Sequence, residues 1–515
     1  MQNKTHITLA VLALSLLQAA TGQVFAQVWN PDRENSILNM RSQSVSATSL
    51  GYTPFADLNF AVAAYNYEGG EFHRPDRPSG KSELDLSIRE IKTFGKVRAS
   101  GSLTYLNNRE FSRNWNSLIG NDPDNPYIIC DAVSDNSSTE SFSLSGGATW
   151  NFAKGWTAAG KIGLLTASLS DTQDPRPKND ISRIPVSLAV EYGFADGWSA
   201  GVFGGAELFM SKFTYYLEYG QKAYRYYKMK GMGDFFAFSS SENSSAPREY
   251  KGATFTAGLN LGVDKKSFAN FTEFAFRSGT ENGRDGGSAY EWKSGDYSFT
   301  ELSLTERFDI KGNLRQSITL GAKLKLTEGY WYDQKQRTDT EHGNITYYEV
   351  MSRFLNNSLT RFTADAGYLI SKPESWGVRG GVNFHSESFT HYTDGDPRLQ
   401  SWTLLGVGAE GFKTFELGNH ILDISASAQY ILPLGDAAFD TGNGFLAKDD
   451  ITETFVRPIF LYETSAKAKA GIRIDWVLPS ISSARLKPAI FAKGGILAGD
   501  SKQFLSASAG AYLTF

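Results

Sequence analysis

The residues that could do chemistry in this 515-residue chain are few. Hydrolysis near neutral pH needs a nucleophile or an activated water beside a histidine and an acid or amide. Beyond the first 26 residues the histidines are His73, His342, His385, His391 and His420. One grouping has suitable types: His385-Ser386-Glu387-Ser388, with His391 just after it. In an extended strand His385 and Glu387 share a face. No compact motif such as GxSxG accompanies them, so polar residues leaving a membrane explain the run better than a hydrolase does. The one cysteine, Cys130, can make no internal disulfide, and the sequence has no Cys/His metal cluster. Neither a cofactor nor a metal is implied.

Charge and aromatic spacing carry more. Basic residues recur on the polar faces of alternating segments: Lys323, Lys325, Arg361, Arg379, Lys467, Lys469, Arg473, Lys487 and Lys493, with Arg98 and Lys161. The acids read on those faces are Glu191, Glu207, Asp365, Glu410 and Asp475. Two readings stay open. Basic side chains lining a bore lower the barrier for anions. Alternatively the charges form an internal salt-bridge network, with the basic excess answered by acidic loops. The segment 213–249 concentrates Tyr215, Tyr216, Tyr219, Tyr224, Tyr226 and Tyr227. Such a loop binds a ligand or partner if exposed, or packs on itself if it folds inward. A formal net charge of −4 argues against nucleic acid as a partner.

These residues must be positioned by strands. In 141–152, Phe142, Leu144, Ala148, Trp150 and Phe152 alternate with serine, threonine and asparagine. In 422–430, Leu422, Ile424, Ala426, Ala428 and Tyr430 alternate with Asp423, Ser425, Ser427 and Gln429. A period of two is the signature of a strand with one apolar and one polar face. The pattern recurs in eighteen segments, among them 57–67, 82–93, 267–277, 460–476, 484–496 and 503–515. Short turns alternate with longer polar loops near 108–138, 213–249, 278–294, 328–355 and 433–457. The turns NFAKGWT at 151–157 and GFADGWS at 193–199 repeat one another, and aromatics gather beside the short turns. This layout predicts an all-β, antiparallel transmembrane barrel of about eighteen strands over 57–515, with short turns and both termini in the periplasm.

The ends of the chain agree. Lys4, an apolar run from Ile7 to Ala20, and Val24-Phe25-Ala26 read as a signal peptide over 1–26, cleaved near Ala26. Segment 27–56 is polar and too short for a domain; it hangs in the periplasm or enters the lumen as a small plug. Residues 503–515, QFLSASAGAYLTF, end on alternating apolar residues, with Leu513 and the terminal Phe515. That ending looks like the signal read by the outer-membrane assembly machinery. On the N-terminal segment 29–52, the repeated hairpins and the terminal YLTF, the chain resembles uncharacterised outer-membrane barrel families of Bacteroidota, with porin-like architecture. The resemblance implies outer-membrane lipid and the assembly machinery as partners and no catalytic residues. The reading that follows is a passive or substrate-selective channel for small solutes. The alternative is a non-conducting barrel that scaffolds a surface or periplasmic protein through its aromatic loop, and a surface hydrolase comes last.

Overall fold

A computed structural model describes residues 44–514, apart from 54–56, 172, 217–223, 241–246, 287–290, 342, 344, 373–374, 394–395, 443–450 and 481–485. The signal peptide, most of segment 27–56, and Phe515 therefore lie outside the described residues.

Eighteen antiparallel strands close into one barrel. They are β1 (Leu58–Gly70), β2 (Gly80–Phe94), β3 (Val97–Arg113), β4 (Asp135–Ala153), β5 (Trp156–Asp171) and β6 (Arg176–Ala195). Next come β7 (Trp198–Tyr216), β8 (Arg248–Asp264), β9 (Phe268–Asp285), β10 (Trp292–Ile310), β11 (Arg315–Asp339) and β12 (Ile345–Lys372). The last six are β13 (Trp376–His391), β14 (Arg398–Leu417), β15 (His420–Pro433), β16 (Lys467–Val477), β17 (Lys487–Gly499) and β18 (Lys502–Thr514). Each strand pairs with the next, and β1 pairs with β18 from Phe60↔Thr514 to Gly70↔Phe504, so no sheet edge is left open.

The alternation explains which face is which. Ile184, Val186, Leu188 and Val190 are exposed on the outside of β6, while Arg183, Ala189 and Glu191 turn inward. The same phase puts Leu259, Leu320, Val382, Ile474 and Leu505 outside. Exposed rings of Phe94, Trp150, Trp156, Phe194, Trp198, Phe415 and Trp476 mark the short-turn end. There the twin turns need glycine: Gly155 has φ +77° and Gly197 φ +71°. A Cβ on Gly197 would stand 2.2 Å from the Asp264 carbonyl oxygen, so the close packing of that turn against its neighbour excludes other residues.

Two segments differ from the sequence expectation. The strand expected at 460–476 begins only at Lys467; before it lies a helical stretch, Thr452–Val456 and then α1 (Arg457–Thr464). Its apolar residues Phe455, Val456 and Phe460 pack on the barrel's inside and on inserted loops, which mimics the apolar content of a strand. Segment 328–355 is largely no loop. β11 and β12 run on past their other neighbours as a two-stranded ribbon, Trp331↔Phe354 to Asp339↔Ile345, beyond the last β10–β11 pair Asp296↔Tyr330. At ~3.3 Å per residue it extends about 30 Å along its own length past that row. Among the described residues no helix is long and apolar enough to cross a membrane, which says nothing of the strands.

Candidate functional site

The lumen is where the sequence-marked residues meet, and it differs from end to end. At the short-turn end the chain before β1 enters it. Residues Ala47–Tyr52 form a 3-10 turn capped by Ser46, with Ala47, Thr48 and Ser49 buried. Ser49 Oγ accepts from Lys161 Nζ at 2.6 Å, and the carbonyls of Gly51 and Thr53 each accept from Arg98 at 3.1 Å. Tyr52 donates to Glu191, and Val45 N donates to Glu273 at 3.2 Å. Ala47 packs with Ala159, Ala189, Phe203 and Ala275. These wall residues are inward positions of β3, β5, β6, β7 and β9, so segment 44–53 covers that side of the lumen.

At the long-loop end three insertions fold into the mouth. The first is the β3–β4 connection, whose strand Ile129–Cys130 pairs with Tyr224–Gly231; that strand forms the second insertion as a hairpin with Asp234–Ser240. The third is α1 with the helical turn before it. Tyr215 and Tyr226 are fully buried and stacked at 4.2 Å between ring centroids. Tyr215 donates to Asp131 at 2.8 Å. Tyr227 packs against Trp115 and Phe235, Tyr224 is half-buried against the cluster that holds Tyr215 and Tyr226, and Tyr216 is exposed. Tyr219 lies outside the described residues. Most of the tyrosine loop is thus the inside of a plug rather than an exposed surface.

Ion pairs hold this plug to the wall. Lys325 Nζ lies 2.8 Å from Asp122 Oδ1 and 2.7 Å from Asp124 Oδ2. Arg361 grips Asp124 with both terminal nitrogens, at 2.8 and 2.7 Å, and donates its Nε to Glu387 at 2.6 Å. Burial alone would raise the Asp124 carboxyl, but Arg361 and Lys325 hold it below the usual carboxylate range. Deeper in the loop burial prevails at Asp131 and pushes it up to about 6, against the hydrogen bonds from Tyr215 and Val133. Burial opposes ionisation of Asp234 as well, yet His391 at 3.3 Å and Lys230 at 3.0 Å bring it down to about 2. Between plug and wall lies a cavity of about 400 Å³, bordered by Asp124, Arg361, His385, Glu387, Trp402 and Phe455.

The basic residues divide between the two regions. Lys323 faces Glu301 at 3.6 Å, while Lys325 and Arg361 belong to the plug contacts. Lys467 donates to the Glu463 carbonyl at 2.9 Å, and Arg473 is paired with Asp475 at 2.7 Å. Arg379, Lys469, Lys487 and Lys493 turn inward on β13, β16 and β17, and no ion pair joins them to a carboxylate among the described residues. Arg379, Lys469 and Lys493 are exposed although they face inward, so the lumen beside them is open to solvent.

Sequence reading missed inward acids, among them Glu83, Asp85, Glu110, Glu273, Glu281, Glu301 and Asp309. Several sit on strands with weak alternation, such as β2 and β9. They remove the basic excess from the lumen as a whole and leave it on the β13–β17 side. It also missed Asp122, Asp124 and Tyr127, whose signal was the apolar run Tyr127–Cys130 inside a polar loop.

The histidine cluster does not assemble a triad from its own serines. His385 Nε2 lies 3.5 Å from Glu387 on the inner face, whereas Ser386 and Ser388 alternate to the outer face. His391 is buried against Asn357 at 2.9 Å and Asp234.

A family model described as "Family of unknown function (DUF6850)" matches residues 47–513. A comparison with curated proteins gives no match. Among solved structures, the RagAB peptide transporter is similar with a TM-score of 0.44 and 6% identity, over 89% of this chain and 86% of that one. The ferric yersiniabactin uptake receptor FyuA from Yersinia pestis gives 0.41 and 8% identity, over 89% and 80%. BauA, the ferric preacinetobactin receptor from Acinetobacter baumannii, gives 0.40 and 9% identity, over 89% and 80%.

Proposed function

The chain belongs to the family of unknown function DUF6850, and since that family name carries no activity, we propose from the geometry that it is a gated channel of a Gram-negative outer membrane. In this reading residues 1–26 are a cleaved signal peptide, the outer face meets lipid, and Leu513 and Phe515 belong to the assembly signal. The short turns face the periplasm and the plugged mouth faces outward. Small solutes pass once the plug moves, and the pathway favours anions. One observation carries the proposal: Lys469 and Lys493 turn into the barrel, are exposed there, and have no ion-pair partner among the described residues, while Arg379 near them stands cross-strand from Glu410. Solvated, unanswered cations in a bore attract anions. Lys323, Lys325, Arg361, Lys467 and Arg473 complete the inner basic set but are answered by acids or carbonyls. They shape the plug and wall more than the field. Single-channel recording of the purified protein in planar bilayers tests the proposal. Stepwise conductance with an anion-biased reversal potential is expected. Silence both in the intact protein and in a variant lacking residues 44–53 would refute it.

A second reading has its own observation. The ribbon formed by the ends of β11 and β12 exposes Tyr347, Val350, Met351 and Phe354 above the rim. A non-conducting barrel that presents this ribbon to a surface protein would account for those side chains. It predicts no conductance under any condition.

A further inference from the structure

Lys325 and Arg361 stand directly opposite one another in the β11–β12 register. Two cations placed cross-strand repel unless an anion lies between them. Here the anion is the chain's own: Asp122 and Asp124, brought from the β3–β4 connection. The two carboxylates are a residue apart, and together they present to Lys325 and to the Arg361 fork what a small dicarboxylate would present. Arg361 uses its two terminal nitrogens for Asp124 and keeps Nε for Glu387. The fork is therefore the exchangeable part of its coordination, and Glu387 keeps the guanidinium oriented when the fork is empty. Asp124 and Arg361 both border the 400 Å³ cavity, so a solute held there can reach the contact from within the molecule.

We infer that Lys325 and Arg361 form a binding site for a small di- or tricarboxylate, held in the closed state by Asp122 and Asp124, and that the ligand frees the β3–β4 loop by taking their place. The inference rests on the channel reading for its consequence, an opened mouth, but the binding step stands apart from conduction.

The chain carries its own reporter. Cys130 is the one cysteine and is fully buried in the same loop, among Trp115, Met229, Ile451 and Phe455. Burial also pushes its thiol up, so the closed state labels slowly. The test is the rate of maleimide labelling of the full-length, detergent-purified protein, with succinate as the probe and potassium chloride at matched ionic strength as the control. Succinate should raise the wild-type rate to a plateau, and chloride should not. Asp122→Asn with Asp124→Asn should raise the basal rate roughly 10- to 100-fold, the range expected for losing charge-assisted hydrogen bonds. Arg361→Gln should label fast from the start and lose the succinate response. Equal acceleration by chloride, or an unchanged rate in the double variant, overturns the inference. If the double variant does not fold, as judged by heat-modifiable migration, the wild-type response to succinate decides. Labelling that responds to succinate in a protein that never conducts would sink the channel reading and leave this site standing. Conduction without such a response would sink the site alone.

Discussion

Leu259→Arg puts a charge where lipid should be, and its cost follows from the register. Leu259 is exposed on the outside of β8, opposite Val202 on β7 and Phe274 on β9, and Phe274 in turn faces Leu304 on β10. Four strands therefore present one apolar row. The row lies about 10 Å above the Trp198–Val263 pair at the aromatic end, from a rise of ~3.3 Å per residue on strands tilted by ~40°. An apolar band is about 25 Å tall, so the site is near mid-membrane, where an arginine costs roughly 2–4 kcal/mol. Thr256→Arg is the internal comparison. Thr256 points inward between Gly205, which leaves room, and Arg277, whose charge has Glu301 at 3.4 Å. A like charge across the strand costs at most about 1 kcal/mol. Reversible urea unfolding from liposomes should separate the two variants by about 1–4 kcal/mol. Equal destabilisation would mean that no lipid meets this row or that the lumen at Thr256 is tightly packed. A loss below about 0.5 kcal/mol for Leu259→Arg is what an ordinary solvated surface gives, and it would refute the membrane reading.

Lys469→Glu with Lys493→Glu replaces two unanswered inner cations by anions and should move the reversal potential toward cation selectivity; an unchanged potential would take these residues out of the permeation path. Deleting residues 44–53 removes the segment that covers the β3–β9 side of the lumen at the short-turn end and should increase unit conductance. Because the Asp131 carboxyl is raised to about 6 by burial, its contribution to loop packing is full below about pH 4 and is lost as pH rises through about 6, on the order of 3 kcal/mol. Asp131→Asn should therefore slow Cys130 labelling relative to wild type at pH 7.5, and slow it less at pH 5, where only about half of the contribution is lost. Tags inserted after Gly343 and after Ser482 should label from opposite sides of intact cells, the first from outside. Phe515→Ala should reduce the yield of heat-modifiable barrel, and full yield would remove the terminal aromatic from the assembly signal.

The barrel was legible because a period of two needs no tertiary information. β4, β6, β8, β15 and β18 announce both faces through single-residue alternation, and even weakly alternating β2 and β9 fall between turns that bound them. Strand ends at the plugged mouth were less legible. Inward positions there meet protein rather than water, so Tyr250, Phe213 and Tyr297 are apolar-bodied where a wet lumen would select polar side chains. The same cause hid the helical stretch before β16. Phe455, Val456 and Phe460 serve a loop-to-wall contact that sequence spacing cannot distinguish from a strand. The ion pairs were invisible for another reason: Asp124 and Arg361 are far apart in sequence, and only the folded loop brings them together. Alternation did point Lys325 and Arg361 inward, but not at what they hold.

The seam between β1 and β18 has a consequence for how the chain comes to be. Its partners, Phe60 with Thr514 and Gly70 with Phe504, are separated by nearly the whole sequence. Such a pairing has the highest contact order the chain can have, so it forms last and slowly. Until β18 exists, every shorter chain has two unpaired edges, with outward Tyr65 on one side and Ile490 on the other. Those edges can recruit strands from other chains. Biogenesis is therefore a race between sealing and self-association, and its outcome is set by the final thirteen-residue strand, Lys502–Thr514. A stop codon before that strand would produce an aggregating chain rather than a slightly smaller barrel.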